Sequence, residues 1–199
     1  MLESNAVAGG NPVHGVKRPR VETNEGKTPA LSDYQAKALL DAPDPTTSKG
    51  LRDRAILAVL LYHGLRKEEA AQRLVSHIQE RRGIKHLPVY GKGGKARYLP
   101  LHPVAAQRIH AYRERSGHHH EKAKVPLFVA LWSRTALTGV TANGIYTVVT
   151  AYAKQAGIEV AGPRATAATN ALENAADTAK VQAWSGHANI STTKIYDRR

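Results

Sequence analysis

The sequence changes its hydrophobic period between about residues 74 and 101, and this change constrains the fold more than any other feature. Inside this region, the short segments "VSHIQE", "IKHLPVY" and "KARYLPL" are divided by "RRG" and "GKGG". Short segments divided by glycine-containing turns are typical of antiparallel strands. Because helical patterns flank the region on both sides, we predict an α+β fold, which is a mainly helical domain with one small three-stranded antiparallel sheet. Pro88 predicts that its strand is an edge strand or a bulged one.

Two helices are predicted ahead of the sheet. The first begins at Ser32, which has capping-box spacing to Gln35, and it stops at Pro43. The second runs through "GLRDRAILAVLLYHGLR", where a broad apolar face indicates a buried central helix and Gly64 is placed to end it. Arg66 is therefore expected just past a buried helix and close to the core.

The helical pattern resumes after the sheet. One helix is predicted from Pro103, with the proline in its first turn, and another runs from Thr141 to a stop at Gly157. The rest, "RATAATNALENAADTAKVQAWSGHANISTTKIY", is predicted to be helical in pieces that break near Asn174 and Gly186.

The first 30 residues differ from everything that follows. They are rich in Gly, Asn, Pro and Lys, show no sustained period and include the basic cluster "VKRPR". We therefore predict a flexible basic linker over residues 1–30 and one folded domain over residues 31–199.

The charge of the chain predicts a polyanionic partner. The sequence holds 29 Lys and Arg against 16 Asp and Glu, a formal net charge of +13. Such an excess attracts polyanions, and each nucleic-acid phosphate that it neutralises also releases counterions. A basic protein without such a partner is the alternative explanation of the same charge.

Several classes of protein are disfavoured. No apolar run approaches the length of a membrane span, so no membrane partner is expected. The chain has no cysteine, which excludes disulfides and thiolate metal sites and agrees with a reducing cytoplasm. His118 to His120 are adjacent on a predicted loop, where side chains seldom converge on one ion, so no metal site is expected either.

Five residues suit one chemistry together, the attack of a phenol on a DNA phosphodiester. Tyr196 is the candidate nucleophile, although a phenol with a pKa near ~10 is a weak one. Arg66 and Arg164 could grip the non-bridging oxygens with guanidinium groups that stay protonated. Lys92, in the predicted hairpin, could protonate the leaving 5′-oxygen, and His187 could donate to the phosphoryl group. This chemistry requires no cofactor.

Four of these five residues have an ordinary explanation when each is taken alone. Arg66 could be a cation at a helix C-terminus, Lys92 a solvated turn lysine, His187 a helix-capping residue and Tyr196 a core aromatic. Their joint order along the chain favours the catalytic hypothesis over four separate coincidences.

The stretch from about Leu31 to Arg199 resembles the catalytic domain of the tyrosine recombinases, also called the phage integrase family. "GLRKEE" is similar to the first arginine box of the family and "YGKGGKARYLPLHP" to its lysine hairpin. "RATAATNAL" and "AKVQAWSGHANISTTKIYDRR" resemble the closing boxes, and the spacing from Arg164 through His187 to Tyr196 agrees with the family pattern.

The resemblance implies a role for each residue. Arg66 and Arg164 would clamp the phosphate, Lys92 would be the general acid, His187 a hydrogen-bond donor and Tyr196 the nucleophile. The reaction implied is cleavage and rejoining of double-stranded DNA through a 3′-phosphotyrosine intermediate, which gives site-specific recombination.

The resemblance also implies roles for residues around this set. Glu69 is similar to the acidic residue that supports the first arginine from behind. Lys95 and Arg97 are expected to reach backbone phosphates.

Three departures from the family pattern lead to an alternative. The family has a histidine three positions before the second arginine, where this chain has Ala161 followed by Gly162 and Pro163. Residues 1–30 resemble only a linker that would follow a DNA-clamping domain, and three residues follow Tyr196. We therefore expect weakened self-association on DNA. The alternative function is a truncated, catalytically impaired copy that only binds DNA, and a basic helix-turn-helix regulator is a remoter one.

Overall fold

The computed structural model describes residues 30–90, 96–117, 124–131, 138–159, 162–185 and 194. Seven α-helices and one three-stranded sheet lie within these ranges. The sequence-based expectations for the linker, His118 to His120, Lys92, Lys95, Ala161, Gly186, His187 and Tyr196 lie outside them.

The helices before the sheet follow the predicted signals. Helix α1 spans Asp33–Asp41, and a reciprocal capping box joins Ser32 to Gln35 as predicted. Helix α2 spans Ser48–His63 and is buried on nearly every side, which confirms the predicted central helix. Gly64 ends it with a left-handed φ of 58°, a conformation that glycine adopts without a Cβ clash. Three residues separate helix α3, Lys67–Ala71, from the end of α2.

The sheet confirms the predicted change of period. Strands β1 (Gln79–Arg81), β2 (Ile84–Tyr90) and β3 (Ala96–Pro100) are antiparallel in the order β1-β2-β3. The first predicted segment forms only a short strand, because its first half is a 3₁₀ turn over Val75–His77.

The prediction for Pro88 was wrong, because β2 is the central strand and not an edge. Strand β1 pairs with β2 only from Ile84 to His86, whereas Pro88 lies opposite Tyr98 of β3. The sheet is therefore two strands wide at the proline, and no β1 residue needs the N–H that proline lacks.

The helices after the sheet also begin and end near the predicted residues. Helix α4 spans Pro103–Ser116 with the proline as its first residue, and α5 spans Ala142–Gln155 with Thr141 as its cap. Helix α6, Pro163–Glu173, and helix α7, Thr178–Ser185, are separated by a break at Asn174.

Helix α2 forms the centre of the hydrophobic core. Helices α1, α4 and α6 pack around it, and α3 packs against α5. The largest fully buried side chains come from most of these elements: Leu39, Ile56, Leu57, Leu65, Leu87, Tyr112, Leu127, Phe128, Ile145 and Leu172. This arrangement holds the turn after α2, and therefore Arg66, in a fixed place.

A buried ion-pair cluster ties α2 to α5. The Asp53 side chain is fully buried and accepts hydrogen bonds from Arg52 at 2.7 and 2.9 Å, from Lys49 at 2.8 Å and from the Tyr152 hydroxyl at 3.1 Å. Arg52 also donates to the Val129 carbonyl at 3.2 Å. Every oxygen of the carboxylate is thus satisfied, as a buried charge requires.

None of the helices in the described ranges is long and apolar enough to cross a bilayer. Within the same ranges, no group of three His, Asp or Glu side chains is arranged to hold a metal ion.

Candidate active site

Arg66 lies in the turn between α2 and α3, where one side of it is anchored and the other is open. Leu65 before it is buried in the core, and Arg66 itself is the N-terminal cap residue of α3. Its side chain is 44% exposed. The guanidinium is therefore fixed to the domain and still reachable from solvent, as a ligand-gripping cation must be.

Glu69 holds Arg66 at two points. The Glu69 carboxylate accepts from the Arg66 backbone N–H at 2.9 Å and from Arg66 Nη1 at 3.0 Å. Its side chain is only 8% exposed. The contact that the resemblance implied between Glu69 and Arg66 is thus present. Because both the backbone and the side chain of Arg66 are bonded, the direction of the guanidinium is restricted.

Arg97 occupies a different place from the one expected for an exposed phosphate contact. It lies on β3 with 14% of its side chain exposed, and its Nη2 donates to both Glu69 oxygens at 3.1 and 3.0 Å. Its Nε is buried and has no hydrogen-bond partner. Arg97 and Arg66 therefore bind the same carboxylate, and Arg97 is the more buried of the two.

A third arginine, Arg73, also contacts Glu69, and it was not among the residues predicted from the sequence. It is 2% exposed, donates from Nε to the Glu69 backbone carbonyl at 2.7 Å and donates from Nη1 to the Pro88 carbonyl. Burial lowers the pKa of Arg73, and the Glu69 charge opposes that shift. The one signal for it was an arginine four residues after Glu69, a spacing that places both on one helix face.

Arg66, Arg73, Arg97 and Glu69 form a cluster with an excess of positive charge. Two guanidinium groups, from Arg66 and Arg97, bind the single carboxylate of Glu69, and a third, from Arg73, binds the Glu69 backbone carbonyl. Arginine does not lose its proton at any ordinary pH, so the cluster keeps this excess. Such a site attracts an anion, and Arg66, the most exposed of the three, is the group that can touch it.

Arg66 and the start of α6 line one groove. The groove has a volume of about 850 Å³, and Arg66, Tyr146, Thr150 and Pro163 lie along it. Arg164 is the second residue of α6, directly after Pro163. The two arginine boxes are therefore brought to the same region of the domain, although they are far apart in the sequence.

The remaining predicted site residues lie beyond the part of the chain that the structure describes. Lys92 and Lys95 belong to the segment that joins β2 to β3, whose last described pair is Tyr90 with Ala96. His187 and Tyr196 follow α7, which ends at Ser185. Their roles stay predictions.

Comparisons with known proteins identify the family of the chain. The model of the phage integrase family matches residues 29–199. The tyrosine recombinase XerD of Neisseria meningitidis serogroup A is 31% identical over 204 residues, which cover 98% of this chain and 66% of the relative. XerD of Lacticaseibacillus casei is 36% identical over 83% of this chain and 57% of its own length. The chain thus spans less than two thirds of these relatives.

Solved structures show the same fold. The XerA recombinase superposes with a TM-score of 0.71 at 27% identity, over 86% of this chain and 60% of that one. XerH bound to its difH substrate has a TM-score of 0.70 at 21% identity, over 87% and 51%. A lambda integrase dimer bound to a core site has a TM-score of 0.61 at 14% identity, over 85% and 59%. The chain belongs to the phage integrase family, and its described part has the fold of a tyrosine recombinase catalytic domain.

Proposed function

We propose that this chain binds double-stranded DNA and cleaves and rejoins it through a 3′-phosphotyrosine intermediate, as the catalytic domain of a site-specific recombinase. The observation that carries the proposal is the Arg66 guanidinium, held by Glu69 at a groove that also takes in the start of α6. The DNA of a bacterial cell or of a mobile element, in the cytoplasm, is the expected substrate.

The proposed reaction exchanges one phosphate ester for another. The Tyr196 phenol loses its proton and its oxygen bonds to phosphorus, while the bond from phosphorus to the 5′-oxygen breaks. Lys92 gives a proton to that leaving oxygen. Arg66 and Arg164 bind the non-bridging oxygens, where negative charge grows in the transition state, and His187 donates a further hydrogen bond. The ester keeps the bond energy, and attack by the free 5′-hydroxyl reverses the step.

A second candidate function is DNA binding with cleavage that is very slow or absent. Among the residues that the structure describes along the groove, none is a histidine. Helix α6 starts directly at Pro163 after Gly162, with no side-chain cap at its first turn. The described lining thus offers the carboxylate of Glu159 but no imidazole for proton transfer, which favours a protein that holds DNA and cleaves it slowly.

Self-association on DNA belongs to the same proposal. The lambda integrase of the same fold forms a dimer on its core site. By analogy, two copies of this chain are expected on a site with two half-sites, and light scattering of the complex with one and with two half-sites measures this.

The affinity for DNA is expected to fall steeply with salt, because contacts to backbone phosphates release counterions. Lys95→Ala should reduce the slope of log affinity against log salt by about one, since it removes one phosphate contact. Fluorescence anisotropy on a labelled duplex between low and physiological salt measures both effects.

Arg115→Ala is the matched control, because it removes one exposed positive charge from α4, which contributes no described residue to the groove. Its slope should stay close to that of the wild type. Binding that is flat in salt, or equal slope changes in the two variants, would contradict the proposal.

A further inference from the structure

We propose that Arg97 is a positioning residue, which acts on the DNA phosphate through Glu69 and Arg66 and does not grip a phosphate itself. This inference rests on the proposed function and deepens it. It replaces the expectation that Arg97 reaches a backbone phosphate directly.

The exposure and the bonding of the two arginines differ. Arg66 has 44% of its side chain exposed, whereas Arg97 has 14%. Nη2 of Arg97 bridges both oxygens of Glu69, and its Nε is buried. The Nε–Nη2 edge, one of the edges with which arginine can bind a phosphate bidentately, is therefore turned into the protein on Arg97. Arg66 is the outer member of the pair and Arg97 the inner one.

The five-residue helix α3 needs such external anchors. A helix this short is not stable by itself, because its few internal hydrogen bonds do not offset the ordering of its backbone. Arg97 joins β3 to the Glu69 carboxylate, and Arg73 joins the Glu69 carbonyl to Pro88 of β2. The two arginines thus clamp α3 onto the β2–β3 pair.

Arg97 also changes how strongly Glu69 holds Arg66. If Arg97 were absent, Arg66 would be the one described side chain bonded to the 8% exposed Glu69 carboxylate, which would then compete more strongly with a phosphate for it. With Arg97 present, one negative charge is shared between two guanidinium groups. Arg66 is then oriented by Glu69 and keeps positive potential for a phosphate. Arg97 is predicted to act on DNA entirely through this sharing.

A double-mutant cycle on DNA binding tests this inference. Arg66→Ala should weaken binding and lower the salt slope by about one. Arg97→Ala should weaken binding by about tenfold with little change of the slope, since it removes coupling and no phosphate contact. The double variant should bind no more weakly than Arg66→Ala, because Arg97 has nothing to position once Arg66 is gone. Arg97→Lys, which keeps a charged donor for Glu69, should recover most of the affinity.

Urea denaturation accompanies each variant, to show that the fold persists. If Arg97→Ala does not fold, Arg97→Gln keeps a donor for Glu69 without the charge and takes its place in the cycle. Losses that multiply in the double variant, or a slope that falls by one in Arg97→Ala, would overturn the positioning role and leave the proposed function intact. A wild type that binds no DNA would overturn the proposed function and this inference with it.

Discussion

Inserting His-Ala-Leu between Pro163 and Arg164 is expected to raise the yield of covalent Tyr196–DNA adduct by at least about tenfold, a threshold below the ~10²–10⁴-fold in rate that general acid–base groups commonly contribute. Helix α6 begins at Pro163, so Arg164 lies in its first turn. An inserted histidine would stand three positions before Arg164, on the same face of the extended helix. It would supply the imidazole that no described residue of the groove supplies.

The control insertion is Ala-Ala-Leu, which lengthens the helix equally and adds no imidazole. It should give no gain in adduct. The yield is read from denaturing gels of single-turnover reactions at several times. If the unmodified chain forms adduct as fast as the chain with the inserted histidine, the short connection before Arg164 is harmless and the explanation is wrong.

The stability of the domain is expected to fall by about 3 kcal/mol as the pH drops from 6.5 to about 4, because of His63 alone. His63 lies at the end of α2 with 2% of its surface exposed. Its Nε2 accepts from the His102 N–H at 3.1 Å and its Nδ1 lies 3.3 Å from the Val59 carbonyl, a set that fits the neutral ring. Burial lowers the pKa of His63 from 6.5 to about 4.

The sign follows from the protons that each state binds. Above pH 6.5 His63 is neutral in both the folded and the unfolded chain, so the full stability is present. Between pH 6.5 and about 4, the unfolded chain binds a proton at His63 that the folded chain does not bind. The free energy of unfolding therefore falls across this pH range.

Urea denaturation of the wild type and of His63→Gln at pH 7.5, 6, 5 and 4 measures the effect. Glutamine retains an acceptor for the His102 N–H and does not titrate, so its advantage over the wild type should grow as the pH falls. His110→Gln, which removes an exposed histidine of α4, is the control. A constant difference between wild type and His63→Gln across these pH values would show that the buried ring is protonated at no extra cost.

The elements of this fold were predictable where local chemistry decides them. The capping pair Ser32 and Gln35 begins a helix as predicted, and so does Pro103, while Gly64 ends one. Each of these residues acts on the backbone within one turn. The prediction from Pro88 was wrong because a proline is tolerated in a central strand where the neighbouring strand has already ended. The length of β1 is set by the assembled sheet and cannot be read from the sequence around Pro88.

The sequence pointed to single residues of the candidate site but not to the long-range contacts between them. The resemblance to the family singled out Arg66 and Glu69, and the structure shows the two residues in direct contact. Arg97 pairs with Glu69 across 28 positions of sequence, and Arg73 reaches Pro88 across 15. Such pairings arise only when β3 and β2 fold back onto α3, so spacing along the chain carried no signal for them.

Covalent capture on a nicked DNA substrate tests directly whether Tyr196 cleaves DNA. The cleaved fragment diffuses away from such a substrate, so rejoining cannot occur. The chain with the inserted histidine and the unmodified chain are both incubated with a duplex labelled on the side that would retain the 3′-phosphate. We expect a protein–DNA band that survives denaturation, forms slowly in the unmodified chain and is lost in Tyr196→Phe. A band that persists in Tyr196→Phe, or no band from either chain on DNA that both demonstrably bind, would contradict it.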